Sequence, residues 1–326
     1  MKRALITGIT GQDGAYLSKF LLDKGYSVTG ITRDTSDTRN INLKYLGILN
    51  DVQLVKANLL DLSNILRLIK EHKPDEMYNL AAQSSVGLSF EQPIGTLEFN
   101  IISTANMLEA IRNVSPETRF YNASSSEMYG RMKPENLPVT EETVLHPVSP
   151  YSISKASAHW ITVNYREAYN LYAACGILFN HESALRGENF VTKKILEGAL
   201  RISRGLTDKI TLGNLAISRD WGYAPEYVKA MWLMLQQDTA DDYIICSGEA
   251  NTLEDFTKKV FDSTGVDYDR GVEFSKKLYR PVDLEIIYGD NSKAKQNLNW
   301  NYDISFDELI EKLVEDEAAF FDWKQK

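Results

Sequence analysis

Short apolar runs alternate with amphipathic stretches along the first half of the chain, and that alternation predicts its elements. Ala4–Thr7 reads as a strand, and Gly14–Lys24 as a helix with Tyr16, Leu17, Phe20 and Leu21 on one face. Ser27–Thr32 and Val52–Ala57 read as the second and third strands. Asp61–Glu71 sets Leu62, Ile65, Leu66 and Ile69 at helical spacing. Glu76–Leu80 reads as the fourth strand, a long helix is expected around Ile101–Asn113, and Phe120–Ser124 reads as the fifth strand. A helix at Tyr151–Tyr169, a strand at Ala173–Phe179 and a helix at Tyr223–Gln237 extend the pattern. Such alternation predicts an α/β fold, a Rossmann-like doubly wound parallel sheet with helices on both faces. After residue 248 charge is denser and short helices are expected, which suggests a smaller C-terminal substrate lobe. The expected division gives residues 1–178, with a return segment about 216–246, to the dinucleotide-binding domain. Residues 179–215 and 247–326 go to the lobe.

Composition narrows the function. The 326 residues are 43% hydrophobic and 25% charged, near the average for soluble globular proteins. A disordered chain, a collagen-like chain and a disulfide scaffold are excluded. Lys and Arg total 36 against 45 Asp and Glu, a net charge of −9. A general nucleic-acid binder would carry a basic surface, so no nucleic-acid partner is expected. If a ligand carries phosphates, the cations that meet it must be few and local. No apolar window is long enough to span a bilayer, and no membrane partner is expected. Met1-Lys2-Arg3 leads into an apolar run that Gly8 cuts too short for a signal-peptide core. Cys175 and Cys246 read as small buried hydrophobes, so a reducing, cytoplasmic location is expected. His72, His146, His159 and His181 lack metal-ligand spacing, and no metal is assigned.

Thr7-Gly8-Ile9-Thr10-Gly11-Gln12-Asp13-Gly14 lies between the first strand and the first helix. Glycines there allow a tight turn, close approach to a pyrophosphate and close packing of helix on strand, while the helix start offers orphan N–H groups. This predicts a dinucleotide cofactor. About 20 residues on, an NAD site usually has Asp or Glu for the ribose hydroxyls. Here Thr32-Arg33 stands there. Arg33 presents a fork of donors to a 2′-phosphate, which favours NADP, and Arg39 is placed to help. Asp34 argues mildly for NAD.

Tyr151-Ser152-Ile153-Ser154-Lys155 puts a tyrosine and a lysine four apart, on one helix face. Pro150 before them is a helix-start signal. A nearby ammonium and a positive nicotinamide both favour phenolate, so Tyr151 can act as a base while Lys155 holds the nicotinamide ribose.

The glycine turn, Asn79-Leu80-Ala81-Ala82, Ser124-Ser125-Ser126-Glu127 and Tyr151/Lys155 together resemble the extended short-chain dehydrogenase/reductases acting on nucleotide sugars. Within that group the chain resembles the GDP-mannose 4,6-dehydratase family. Gly8–Tyr16, Trp160–Tyr165, Gly176–Ser183, Arg186–Thr192, Arg219–Gly222 and Ala230–Gln237 carry that resemblance, which covers nearly the whole chain.

The resemblance implies a hydro-lyase that converts a GDP-hexose, GDP-D-mannose first, to a GDP-4-keto-6-deoxyhexose. It implies that Ser125 hydrogen-bonds the O4 region, Tyr151 takes the O4 proton and Glu127 is the C5 base and helps protonate the departing C6 hydroxyl. Ser125 and Glu127 project to the same side if their segment stays extended. Gly8, Thr10, Gly11, Gln12, Asp13, Gly14, Arg33, Asn58, Leu59, Leu80 and Ala81 are the implied cofactor contacts, with Tyr151 and Lys155. Ser84, Ser85, Glu127, Asn180, Glu188, Lys193, Arg219, Arg280 and Asp283 are the implied substrate contacts. Arg219 and Arg280 are assigned to the diphosphate, Lys193 to the guanine side, and Asp283 or Glu188 to guanine donors or the nucleotide ribose.

Some positions depart from the family. Ser125 stands where Thr is usual, which keeps the hydroxyl. Ser85 replaces a bulkier residue, Ala184 a proline, and Asn58 an acid near adenine. Smaller side chains near the hexose would admit an N-acetyl group, so GDP-N-acetylglucosamine is the alternative substrate. A GDP-4-keto-6-deoxyhexose reductase is a further alternative, distinguished by net consumption of NADPH. The family implies a homodimer or homotetramer, with segment 34–42 and its Arg39 reaching a neighbouring subunit.

Overall fold

A computed structural model describes residues 1–34, 40–279 and 281–325. Arg39 and Arg280 lie outside these residues, so their expected roles have no structural account here.

Seven parallel strands form the central sheet. Six come in chain order: β1 (Arg3–Thr7), β2 (Ser27–Thr32), β3 (Gln53–Lys56), β4 (Glu76–Asn79), β5 (Arg119–Ser125) and β6 (Ala173–Leu178). Four short strands follow: β7 (Asn180–Glu182), β8 (Ile210–Leu212), β9 (Ser218–Arg219) and β10 (Trp221–Tyr223). The seventh sheet strand is β11 (Asp242–Ile245). The sheet order is β11-β6-β5-β4-β1-β2-β3. Strands β4 and β6 are buried along their whole length, as expected of parallel strands covered on both faces. The order reverses between β1 and β4, which opens a crevice at their C-terminal ends.

Helices α1 (Gln12–Asp23), α2 (Ile41–Tyr45), α3 (Leu62–His72), α4 (Val86–Glu91), α5 (Pro93–Val114) and α6 (Pro150–Tyr169) accompany the sheet. Helix α6 begins with Pro150 in its first turn and a capping box between Ser149 and Ser152. The expected elements are all present. Helix α5 starts eight residues before its expected start, because its first turns bury Thr96 and Asn100 rather than an apolar stripe.

The second half holds α7 (Val191–Ser203), α8 (Ala224–Met234), β12 (Asn251–Thr252), α9 (Leu253–Ser263), α10 (Tyr268–Gly271), β13 (Val272–Phe274), β14 (Ile286–Ile287), α11 (Ser292–Leu298) and α12 (Phe306–Lys324). Strands β12 and β14 flank β9 in a small sheet. Val191, Ile195, Phe256, Phe261, Leu309 and Leu313 belong to a separate apolar core in the lobe. Two sequence expectations need correction. Helix α12 spans 19 residues rather than being short, and its capping box joins Ser305 to Glu308. Leu298, Trp300 and Phe320 pack into the core beside the main sheet, so the stretch after residue 247 is shared between the two units.

Candidate active site

The glycine turn forms the floor of a cavity of about 880 Å³ at the sheet reversal. Gly8 has φ +71°, and a Cβ there would lie 2.9 Å from the Ala81 nitrogen. A Cβ on Gly14 would lie 2.3 Å from the Gly8 oxygen. The turn therefore needs glycine at both positions. Gly11 caps α1 without a side-chain hydrogen bond, which leaves the orphan N–H groups of the first turn to a ligand. The Thr7 hydroxyl accepts from Leu80 N and Ala81 N, both at 3.1 Å, and so ties β1 to the loop after β4. Thr10, Gly11, Gln12, Asp13, Gly14, exposed Arg33, Leu59, Leu80 and Ala81 all line this cavity. Asn58 does not line it, although its neighbours Ala57 and Leu59 do; it is exposed, and its side-chain oxygen accepts from Leu60 N at 3.1 Å. The room, the bare turn and the helix start fit a dinucleotide.

A second cavity, about 190 Å³, adjoins the first. Asp13, Leu80, Ala82, Ser84, Arg186 and Phe190 line both. Ser85, Ser125, Ser126, Glu127, Tyr151, Lys155, Asn180 and Arg219 also line the second. The expected catalytic residues are thus brought together, by a route that differs from the expected one. Strand β5 ends at Ser125, and Ser126–Tyr129 form a 3-10 turn. The segment is not extended past Ser125. The Ser125 hydroxyl caps the turn by accepting from Glu127 N at 3.3 Å.

Tyr151 is buried, which pushes its phenol up to about 12; a hydrogen bond from Ser125 lowers it, Glu127 raises it and Arg186 lowers it. Burial brings the Lys155 ammonium down to about 8. Its Nζ donates to Ala123 O at 2.8 Å and lies 6.0 Å from the Tyr151 ring centroid. The phenolate expected near neutral pH is therefore not produced by the side chains alone. Beneath the helix, Asn100 Nδ2 donates to Ser154 Oγ at 2.9 Å and to Gln83 O at 3.1 Å. Its Oδ1 accepts from Gln83 N at 2.8 Å. This fixes α6 against the loop that lines both cavities.

Residues without a sequence-based role also converge here. His181 Nε2 lies 3.0 Å from both carboxylate oxygens of Asp13. Arg186 Nε lies 3.3 Å from the buried Glu182, and its guanidinium stacks 3.8 Å from the Phe190 ring centroid. Only the run Asn180–Ser183 and the Arg beyond it hinted at these two in the sequence.

Other expectations are displaced. Lys193 is 1% exposed, and its Nζ donates to Glu317 Oε1 and Ala184 O, each at 2.7 Å. It braces α7 on α12 and does not face the cleft. Ala184 is wholly buried, so its small side chain opens no space at the sugar. Glu188 is exposed, while its neighbours Gly187 and Asn189 line the cavities. Asp283 accepts from Arg219 Nη2 at 2.9 Å and so orients that guanidinium. Ser85 keeps its place on the wall of the small cavity and also caps α4, accepting from Leu88 N at 3.2 Å.

His159, Cys175 and Asp242 form a cluster whose ligand-type atoms lie within 4.8 Å of one another. Arg166 grips Asp242 through both guanidinium nitrogens at 2.9 and 2.8 Å, and His159 Nδ1 lies 3.1 Å from Ser124 Oγ. Asp242 is thus already ion-paired with Arg166 of α6, and the Cys175 thiol donates to His159 O. Among the described residues, no helix is long and apolar enough to cross a membrane.

A family model described as GDP-mannose 4,6 dehydratase matches residues 5–313. The chain is 47% identical to GDP-mannose 4,6 dehydratase 2 of Arabidopsis thaliana, over 97% of this chain and 87% of that one. It is 42% identical to the GDP-mannose 4,6 dehydratase of Homo sapiens, over 95% and 90% of the two chains. The dTDP-glucose 4,6-dehydratase of Bacillus anthracis, solved with NAD, shares the fold with a TM-score of 0.85 at 22% identity, over 99% of this chain and 98% of that one.

Proposed function

The chain belongs to the GDP-mannose 4,6 dehydratase family, and we propose that it dehydrates a GDP-hexose, GDP-D-mannose first, to the GDP-4-keto-6-deoxyhexose. The observation that carries this reading is the meeting of Ser125, Glu127 and Tyr151 in one small cavity beside the dinucleotide cavity. A C4 epimerase or simple ketoreductase needs a hydroxyl, a tyrosine and a lysine. The added carboxylate suits a reaction that also removes a C5 proton.

In this reading the glycine turn and the start of α1 hold the cofactor diphosphate, and Lys155 holds the nicotinamide ribose. Bound there, the cofactor would supply a hydride acceptor for C4 and a hydride donor for C6, and a positive charge that would draw the Tyr151 phenol down. Tyr151 takes the O4 proton, with Ser125 donating to the phenolate. Glu127 takes the C5 proton and passes it to the departing C6 hydroxyl, which leaves as water. When hydride reaches C6, C5 takes back a proton, balanced by the one Tyr151 took from O4, which restores the phenolate. Arg219 meets the substrate diphosphate, and Asn180 the sugar or a phosphate. Incubation with GDP-D-mannose tests the function by loss of one water.

The cofactor is NADP in this reading, supported by exposed Arg33 at the cavity edge after β2. Competition between NADP and NAD for one preparation decides it, and tighter NAD binding contradicts it. The cytoplasm is the proposed location, supported by the unbridged, buried Cys175 and Cys246; export of the full-length native chain would contradict it. The enzyme is proposed to be a homodimer or homotetramer. Support comes from exposed apolar residues on adjacent α5 and α6: Ile94 (72% exposed), Ile102, Ile153 and Trp160 (58%). A monomer in sedimentation at micromolar concentration would contradict this.

A further inference from the structure

Ile217, Arg219 and Trp221 line the small cavity, so alternate residues of this extended stretch face the cleft. Asp220 lies between two of them and is wholly buried. Its Oδ1 accepts from Ser247 N and Ser247 Oγ, both at 2.7 Å, and its Oδ2 accepts from Gly248 N at 2.9 Å. The backbone N–H of Gly289 also donates to it.

These donors belong to the two segments that enclose Arg219. Ser247 and Gly248 lead into β12, where Asn251 pairs with Arg219, and then to Leu253 on the cavity wall. Gly289 closes the segment that contains β14, where Ile287 pairs with Arg219. The same segment supplies Leu284 O, 2.7 Å from Arg219 Nη1, and Asp283 Oδ1, 2.9 Å from Nη2. Two acceptors on that segment thus hold the guanidinium, together with Ser218 O on its own strand, 2.9 Å from Nη1, and Asp220 fastens that segment and the β12 segment to the strand bearing Arg219.

We propose that Asp220 is a positioning residue for the nucleotide end of the cleft, its carboxylate fastening segments 247–248 and 283–289 so that Arg219 is held ready for a substrate diphosphate. This rests on the reading of the substrate as a GDP-hexose. A buried carboxylate surrounded by N–H and O–H donors can serve all of them. An amide cannot, because it has one acceptor oxygen and turns an NH2 group toward a donor. Asp220→Asn therefore breaks the fastening with little change in volume. Ser247→Ala removes one of its hydrogen bonds and is the milder variant.

The test uses the full chain and GDP as the probe. Affinities for GDP and for NADP are measured by calorimetry, with KM and kcat for GDP-D-mannose, in wild type, Asp220→Asn and Ser247→Ala. Asp220→Asn is expected to weaken GDP and raise KM by roughly ten-fold or more, the scale of a lost hydrogen bond to a charged group. The fall in kcat should be smaller than the rise in KM, and NADP affinity should change by less than about two-fold. Ser247→Ala should show the same pattern, at roughly three-fold. A folded Asp220→Asn protein that binds GDP as wild type does overturns the proposal. So does a variant that loses NADP affinity and kcat in proportion to KM. If Asp220→Asn does not fold, an unchanged GDP affinity in Ser247→Ala overturns it. Failure of the wild type to bind GDP overturns the GDP-hexose reading, and this inference with it.

Discussion

Buried His181 and half-buried Asp13 form a pair across the cleft, with Nε2 3.0 Å from both carboxylate oxygens. The pair joins the glycine turn to the strand after β6. The other ring nitrogen lies 2.7 Å from Phe179 O, and the ring stacks on Tyr227 at 4.7 Å. Burial opposes charge on Asp13, but His181 and Gln12 hold its carboxyl down at about 2. Burial likewise opposes charge on His181, but Asp13 holds its imidazole above the ordinary 6.5.

The pH dependence of stability follows from these directions. Asp13 contributes stability above its unfolded value of 3.8, and that contribution is lost as pH falls toward 2. His181 contributes below 6.5 and loses its contribution as pH rises through its raised folded pKa. The pair should therefore stabilise most between about 4 and 6.5. Asp13→Asn is expected to cost about 3 kcal/mol in that window, because it leaves a buried imidazolium unpaired. Urea unfolding of wild type and variant checks this. An equal cost at alkaline pH, where the imidazole is neutral, would contradict it.

Glu127→Gln keeps the shape of the side chain and removes the proposed base. Turnover is expected to fall at least about a hundred-fold, the usual scale for losing a positioned general base. Exchange of the C5 hydrogen with solvent deuterium should fall in parallel, while GDP affinity stays near that of wild type. Exchange at the wild-type rate would remove Glu127 from the mechanism.

Ser125 stabilises the ionised form of Tyr151 by donating to it, so Ser125→Ala should raise the phenol pKa further. The limb of the rate profile that rises with phenol ionisation should move to more alkaline pH by about one unit, the scale of one hydrogen bond to a charged group. Ser125→Thr keeps a hydroxyl and should keep the limb in place. A pH–rate profile unchanged in Ser125→Ala would contradict the assignment.

What could be read from the sequence was local. The strand, turn and helix from Ala4 to Lys24 share one short stretch, and Tyr151 and Lys155 share one helix face, so pattern and spacing sufficed. The residues missed or misplaced depend on distant partners. Asp13 meets His181 across 168 positions, and Lys193 meets Glu317 across 124. No period or spacing reports such a pair. Lys193 therefore read as a free cation beside the nucleotide, although Glu317 holds it inside the lobe. The course of the segment after Ser125, on which the same-side reading depended, was illegible for a different reason. The side-chain oxygen of Ser125 offers the backbone a turn-capping bond, and that bond wins over extended pairing.

The most direct test is one incubation of NADP-loaded protein with GDP-D-mannose, followed by mass spectrometry of the sugar nucleotide and absorbance of the cofactor. The expected result is a product lighter by one water with no net reduced cofactor, because the hydride taken from C4 returns to C6. A sugar nucleotide of unchanged mass, or NADPH consumed in step with substrate, would contradict the account.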